Sequence, residues 1–217
     1  MKQLLSVEVF FDFVCPWCLI GQRHLQAALL RLQREQPQVQ VHVHWRGVQL
    51  LPGLPAEGVP FNTFYRQRLG SEQAVRERQD QVRAAAVVVG EDIDFSRIRR
   101  MPNTGNAHRL VQRAGGLLTA RQLEDLLARL FIAYFHQGRD LGDSATLLGI
   151  AQGCGLEAAQ VIDCLRDDGS PFLEGAGRAG SAVPRYRFNQ GPLIAGAQPA
   201  EALFAAMTEA LREAEQA

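Results

Sequence analysis

The chain has 217 residues, 47% of them hydrophobic, enough to bury one substantial core with or without a helical satellite. Lysine plus arginine and aspartate plus glutamate each number 23, so the formal net charge is zero and nothing favours a nucleic acid or an acidic membrane as partner. The single lysine, Lys2, leaves Schiff-base and phosphate-loop enzymes without the amine they need.

From Val7 to Val14 the residues form a near-continuous β-branched, aromatic or apolar run, which predicts a strand buried on both faces. CPWCLIGQRHLQAALLRLQREQ comes next, whose Leu19, Ile20, Ala27, Leu30 and Leu32 predict a helix with one buried stripe, ended by Pro37. Val39, Val41, Val43 and Trp45 alternate with Gln40, His42 and His44 as a second strand, completing a βαβ unit. Leu51 to Pro60 holds three prolines and two glycines, which marks a domain boundary.

The middle of the chain reads as helices only: Phe61 to Leu69, Ser71 to Val89, Asn103 to Ala114, and Thr119 to Gln137, the last opened by a Thr119/Gln122 capping box. Shorter helices are predicted at Asp143 to Gln152 and Leu156 to Arg166, then a turn at Asp168 to Pro171 and a short helical stretch near 172–179. Arg185 to Asn189 and Leu193 to Ala195 read as a hairpin entered through Val183-Pro184. Pro199 then opens a last helix at its first position, with Leu203, Phe204, Met207 and Leu211 on its buried face. The order is βαβ, helices, ββα, which divides the chain into 1–50, 51–170 and 171–217.

Four cysteines, Cys15, Cys18, Cys154 and Cys164, are too few to staple a chain of this length. The apolar N-terminal run is interrupted by Glu8 and Asp12 and lacks a small-residue cleavage site. No apolar run approaches the roughly 20 residues of a membrane span. The expectation is therefore a cytoplasmic protein, a setting in which a cysteine pair is more often catalytic or metal-binding than structural.

Cys15-Pro16-Trp17-Cys18 stands where a buried strand turns into a helix. With Cys15 at the N-cap, Pro16 falls in the first turn, where proline is favoured, and the Cys15 sulfur faces unpaired backbone N–H groups and the positive end of the helix dipole. Both stabilise a thiolate, which makes Cys15 the candidate nucleophile. Cys18, one turn further in, suits a resolving thiol that attacks a mixed disulfide from within. Zinc binding would need two further ligands, and Cys154, Cys164 and five scattered histidines offer no second pair, so no metal site is expected. Two buried structural cysteines are a second bland alternative, against which the bulky Pro16-Trp17 tip argues, and chance occurrence of the spacing is a third.

DFVCPWCLIGQRHL at 12–25, PNTGNAHRL at 102–110, AYFHQGRDLGD at 133–143, GSAVPRYRFN at 180–189 and GAQP at 196–199 together resemble the DsbA family of thioredoxin-fold proteins, most closely its FrnE-like, cytoplasmic branch. The resemblance implies an α/β thioredoxin fold interrupted by an all-helical insertion. It also implies thiol–disulfide exchange at Cys15 and Cys18, with Val183-Pro184 as a cis-proline loop that, with Pro16 and Trp17, meets the substrate. Two positions depart from the family pattern. Val9 stands where many relatives carry a buried acid, so Asp12 is the candidate proton acceptor for Cys18. Arg185-Tyr186-Arg187 succeeds Pro184 where relatives carry small or apolar residues. These arginines raise the acidity of the nucleophile, favour an acidic partner, or are solvated strand-edge charges.

Asn103 or Thr104 reads as the N-cap of a helix on which His108 is packed, and related isomerases bring polar residues of this region toward the active site, so Asn103 and His108 are kept as accessory candidates, as is Arg185 for its place beside the substrate loop. His42 and His44 lack a third ligand, and Cys154 and Cys164 read as small buried hydrophobes. No cofactor is expected beyond the redox-active pair, with glutathione the candidate co-substrate. Partners are a thiol- or disulfide-containing protein or small molecule, with no nucleic acid and no membrane. A glutathione-dependent isomerase of the 2-hydroxychromene-2-carboxylate isomerase type keeps the same fold but has no task for Cys18. A non-catalytic binding module would tolerate loss of both thiols.

Overall fold

The computed structural model describes residues 3–166, 168–173 and 182–216. It divides into two compact units, Met1–Val48 with Gly175–Ala217, and Gln49–Glu174.

In the first unit, β1 (Leu4–Phe11) is flanked by parallel β2 (Gln40–Gly47) and antiparallel β5 (Arg185–Phe188), and β6 (Ile194–Ala195) pairs with β5, giving the order β2-β1-β5-β6. β1 starts earlier than the apolar run suggests and is not apolar on both faces. Leu5, Val7 and Val9 are buried, whereas Glu8 points the other way and its carboxylate lies 3.2 Å from Arg46 Nε on β2 and 3.5 Å from Arg187 Nη1 on β5. Only from Val9 on do both faces close, where Phe11 meets Trp45 edge-on at 5.7 Å.

α1 (Pro16–Glu35) begins with proline at its first position and ends at Gln36, one residue before Pro37. Its buried stripe runs through Cys18, Gly21, Leu25, Ala28 and Leu32, whereas Ala27 and Leu30 face solvent. Spacings of three and four residues alternate along that stripe, as a 3.6-residue period requires. The closing helix of this unit, here α8 (Ala200–Gln216), buries Leu203, Met207, Ala210 and Leu211 in one core cluster with α1, Leu5, Val7, Val9, Tyr186 and Phe188. Pro199 precedes this helix rather than opening it, and its carbonyl accepts the Leu203 N–H at 3.1 Å.

The second unit carries α2 (Phe61–Leu69), α3 (Glu72–Val88), α4 (Gly105–Gly115), α5 (Ala120–Phe135), α6 (Ser144–Gly153) and the short α7 (Ala158–Val161). Thr119 caps α5 through the capping box with Gln122, and Asp143 caps α6 by accepting the Thr146 N–H at 2.9 Å. This unit is not purely helical, because β3 (Val59–Pro60) and β4 (Arg100–Met101) pair antiparallel. Leu156–Arg166 is not one helix either. After α7 the chain makes a 3-10 turn over Ile162–Cys164, and Asn106 then takes both backbone groups of Arg166, its Oδ1 accepting the N–H and its Nδ2 donating to the carbonyl, each at 2.8 Å. That two-point bond holds extended backbone where a helix would continue. Most of the helical stretch foreseen at 172–179, and the start of the 180–189 motif, lie outside the described residues.

Candidate active site

Cys15 is the N-cap of α1, with φ −92° and ψ 107°, and its backbone N–H is tied back to the Asp12 carbonyl at 3.2 Å. The chain therefore turns sharply between the end of β1 and the helix, which leaves the first-turn N–H groups of α1 directed at the Cys15–Cys18 end. Exposure falls on Pro16 and Trp17, which are half-buried, whereas both thiols are covered: Cys15 is 7% and Cys18 3% exposed.

The two sulfurs sit in different surroundings. The Cys15 thiol donates to the carbonyl of Val183 at 3.7 Å, which places the Val183-Pro184 segment directly beside it. The Val183-Pro184 peptide bond is cis, and the Pro184 carbonyl accepts the N–H of Gly196 at 2.8 Å, anchoring the segment to the turn at 196–199. Cys18 points into the protein. Burial, then the hydrogen bond and the charge of Cys15, push its thiol well above the ordinary range, and backbone donation from Asp12 offsets this in part. Asp12 is fully buried in the turn between β1 and α1, where it bears on Cys18.

Arg185 opens β5, opposite Phe10 on β1 and Ala195 on β6. Arg185 is paired on both sides and is not an edge charge, whereas Arg187 lies beyond the two residues of β6 and is engaged with Glu8. Tyr186 between them is completely buried on the opposite face, the one toward α1 and α8, as the alternation around Tyr186 and Phe188 predicts.

Asn103 and His108 belong to the helical unit. Asn103 Oδ1 accepts from Gly105 N at 2.9 Å and from Gln49 Nε2 at 2.7 Å, while its Nδ2 donates to the Leu54 carbonyl at 2.7 Å and to that of Gly169 at 3.3 Å. The side chain of Asn103, one position before the N-cap Thr104, thus supplies the capping bond that Thr104 does not make. Gln49, which carried no signal in the sequence, also accepts the Phe172 N–H at 2.7 Å, and the Phe172 ring stacks on His108 at 5.3 Å. The motif at 102–110 therefore holds Leu54, Arg166, Gly169 and Phe172 together. Cys154 and Cys164 lie in the same unit and burial raises both thiols. Among the described residues no cluster of histidine, cysteine, aspartate or glutamate could hold a metal, and no helix is long and apolar enough to cross a membrane.

The family model of the DSBA-like thioredoxin domain matches residues 6–170. Among solved structures, a probable DsbA oxidoreductase from Streptomyces coelicolor is similar over 96% of this chain and 91% of its own, with a TM-score of 0.81 and 29% identity. A putative protein disulfide isomerase from Nitrosomonas europaea is similar over 97% and 99%, with a TM-score of 0.69 and 15% identity. A 2-hydroxychromene-2-carboxylate isomerase is similar over 97% and 98%, with a TM-score of 0.63 and 12% identity. The last two likenesses are of fold alone.

Proposed function

Since the chain belongs to the DSBA-like thioredoxin domain family, we propose that it is a thiol–disulfide oxidoreductase working through Cys15 and Cys18. The observation that carries the reading is the asymmetry of the pair: one sulfur at the helix N-cap beside the Val183 carbonyl, the other one turn inward with its thiol held protonated by burial. In the forward sequence the Cys15 thiolate attacks a substrate disulfide, forming a Cys15–substrate disulfide and expelling one substrate thiolate. Cys18, after losing its proton to water or to Asp12, attacks the Cys15 sulfur, so that the Cys15–Cys18 bond forms and the second substrate thiolate leaves. The substrate gains two electrons and the pair loses them. The reverse sequence oxidises a substrate dithiol, and relative potentials decide the direction.

Half-exposed Pro16 and Trp17, with the Val183-Pro184 segment beside the nucleophile, supply the contact surface for a thiol- or disulfide-bearing protein or small molecule. Glutathione is the proposed co-substrate, and the cytoplasm the proposed compartment, a setting in which a cysteine pair is more often catalytic than structural. The isomerase alternative activates one bound thiol and leaves Cys18 idle, so the two readings separate on whether Cys18 is consumed. Equilibration in graded glutathione buffers, with alkylation and intact mass as the readout, is expected to show reversible loss of two thiols in the wild type and no such coupled loss in Cys15→Ser. Glutathione binding with both thiols retained would favour the isomerase instead.

A further inference from the structure

Tyr186 is fully buried, and its hydroxyl has no hydrogen-bond partner among the described residues. A buried hydroxyl without a partner is destabilising, and a phenylalanine would fill the same space without that cost. The phenol oxygen rests against α1 at Gly21, where a Cβ would come within 2.1 Å of it and 3.2 Å of Pro184 Cγ. Glycine in mid-helix weakens the helix, yet here its missing side chain is the space the hydroxyl occupies. Gly21 lies three positions after Cys18 on the same buried stripe, so the hydroxyl rests against α1 about one helical turn along from Cys18.

The neighbours of Cys18 make that placement chemically specific. Cys15 from the same helix and Asp12 from the preceding turn bear on Cys18, and Cys18 in turn bears on Tyr186 from β5. From α8, Tyr186 meets the apolar Leu203 and Met207 of the core, and Arg185 and Arg187 alternate to the other face of the sheet. Burial first, and the charges of Cys18 and then Cys15, hold the Tyr186 proton far above the ordinary tyrosine range, so the group donates and does not act as a base.

Resting on the oxidoreductase reading, we infer that the Tyr186 hydroxyl is the buried hydrogen-bond donor that stabilises the Cys18 sulfur as a thiolate during the resolving step, across a gap closed by a Cys18 side-chain rotation or by one water. Cys18 gives its proton to water or Asp12, its thiolate forms the bond to the Cys15 sulfur, the Cys15–substrate bond breaks, and the departing thiolate takes a proton from solvent. Tyr186 keeps its own proton throughout. The mixed-disulfide step at Cys15 does not need it.

Rapid mixing of the reduced protein with an aromatic disulfide, 5,5′-dithiobis(2-nitrobenzoate), separates the two steps, because attack by Cys15 releases one coloured thiolate and resolution by Cys18 the second. A Cys154→Ser, Cys164→Ser background removes other thiols. Tyr186→Phe is expected to slow the second release about tenfold at pH 7 and to move its pH midpoint upward, with the first release within about twofold of the parent. Gly21→Ala, whose new methyl displaces the hydroxyl, is expected to slow the same phase. An unchanged second phase and pH midpoint in Tyr186→Phe, accompanied only by higher stability, would overturn the inference. Absence of a second phase in the parent itself would instead overturn the oxidoreductase reading, and this inference with it.

Discussion

Among single residues, the two cysteines of the pair differ in the consequence of their loss. Cys15 lies beside the Val183 carbonyl and Cys18 lies inward of it, so a substrate captured by Cys15 is freed only when Cys18 attacks. Cys18→Ala is therefore expected to accumulate mixed disulfides, visible as reductant-sensitive adducts on non-reducing gels, and Cys15→Ala is expected to form none; equal trapping by both would reverse or cancel the assignment. Asn103 makes the contrasting case. Its side chain joins Gly105, Gln49, Leu54 and Gly169 through bonds of 2.7 to 3.3 Å, so Asn103→Ala leaves buried groups unpaired. The expected cost is about 2–4 kcal/mol in urea unfolding, with the rate of thiol exchange in the folded protein unchanged. A loss of exchange without loss of stability would return Asn103 to the active site.

Among the helices and strands, the parts legible in the sequence are those whose signals are local. α5 opened at Thr119 because a capping box is written in four consecutive residues, and α1 opened after Cys15 because Pro16 fits only a first turn. The capping box sets an expected cost for Thr119→Ala of about 1 kcal/mol, read as a lower urea midpoint with an unchanged slope. The features that escaped reading depend on distant partners. β3 and β4 are two residues each, too short for any period, and exist because Val59 meets Met101. The helix foreseen to Arg166 stops early because Asn106, sixty positions away, takes the backbone of Arg166 from both sides. β1 likewise is not apolar on both faces because Glu8 is satisfied by Arg46 and Arg187 from the two neighbouring strands. The same is true of the site: the cysteine pair was readable from spacing and the Tyr186/Phe188 face from alternation, whereas the seat of the Tyr186 hydroxyl against Gly21 of α1 depends on a partner far along the chain.

Across the folded chain, the buried thiol couples redox state to stability. Burial is the first cause that pushes the Cys18 thiol up, and its hydrogen bond to Cys15 adds to this. The folded reduced chain therefore keeps the Cys18 proton at a pH where the unfolded chain has lost its own, and the native state binds more protons than the unfolded one. Stability then falls as pH rises, starting near the unperturbed thiol value of about 8.5 and continuing through the raised value in the native protein. Cys154 and Cys164 are raised in the same direction, so they contribute to the slope wherever their own unit unfolds. Tyr186 joins only above about pH 10, where an unfolded tyrosine ionises. Both tryptophans, Trp17 and Trp45, lie in the unit that carries Cys18, so their fluorescence tracks unfolding of that unit by itself. In urea titrations between pH 7 and 10, the reduced protein is expected to lose stability steadily above about pH 8.5, and Cys18→Ala to lose less. The oxidised protein, whose Cys18 has no proton to give, is expected to stay nearly level until Tyr186 enters. Equal slopes for the reduced and oxidised forms would show that Cys18 does not hold its proton in the folded chain, and the resolving step would then need no donor beside it.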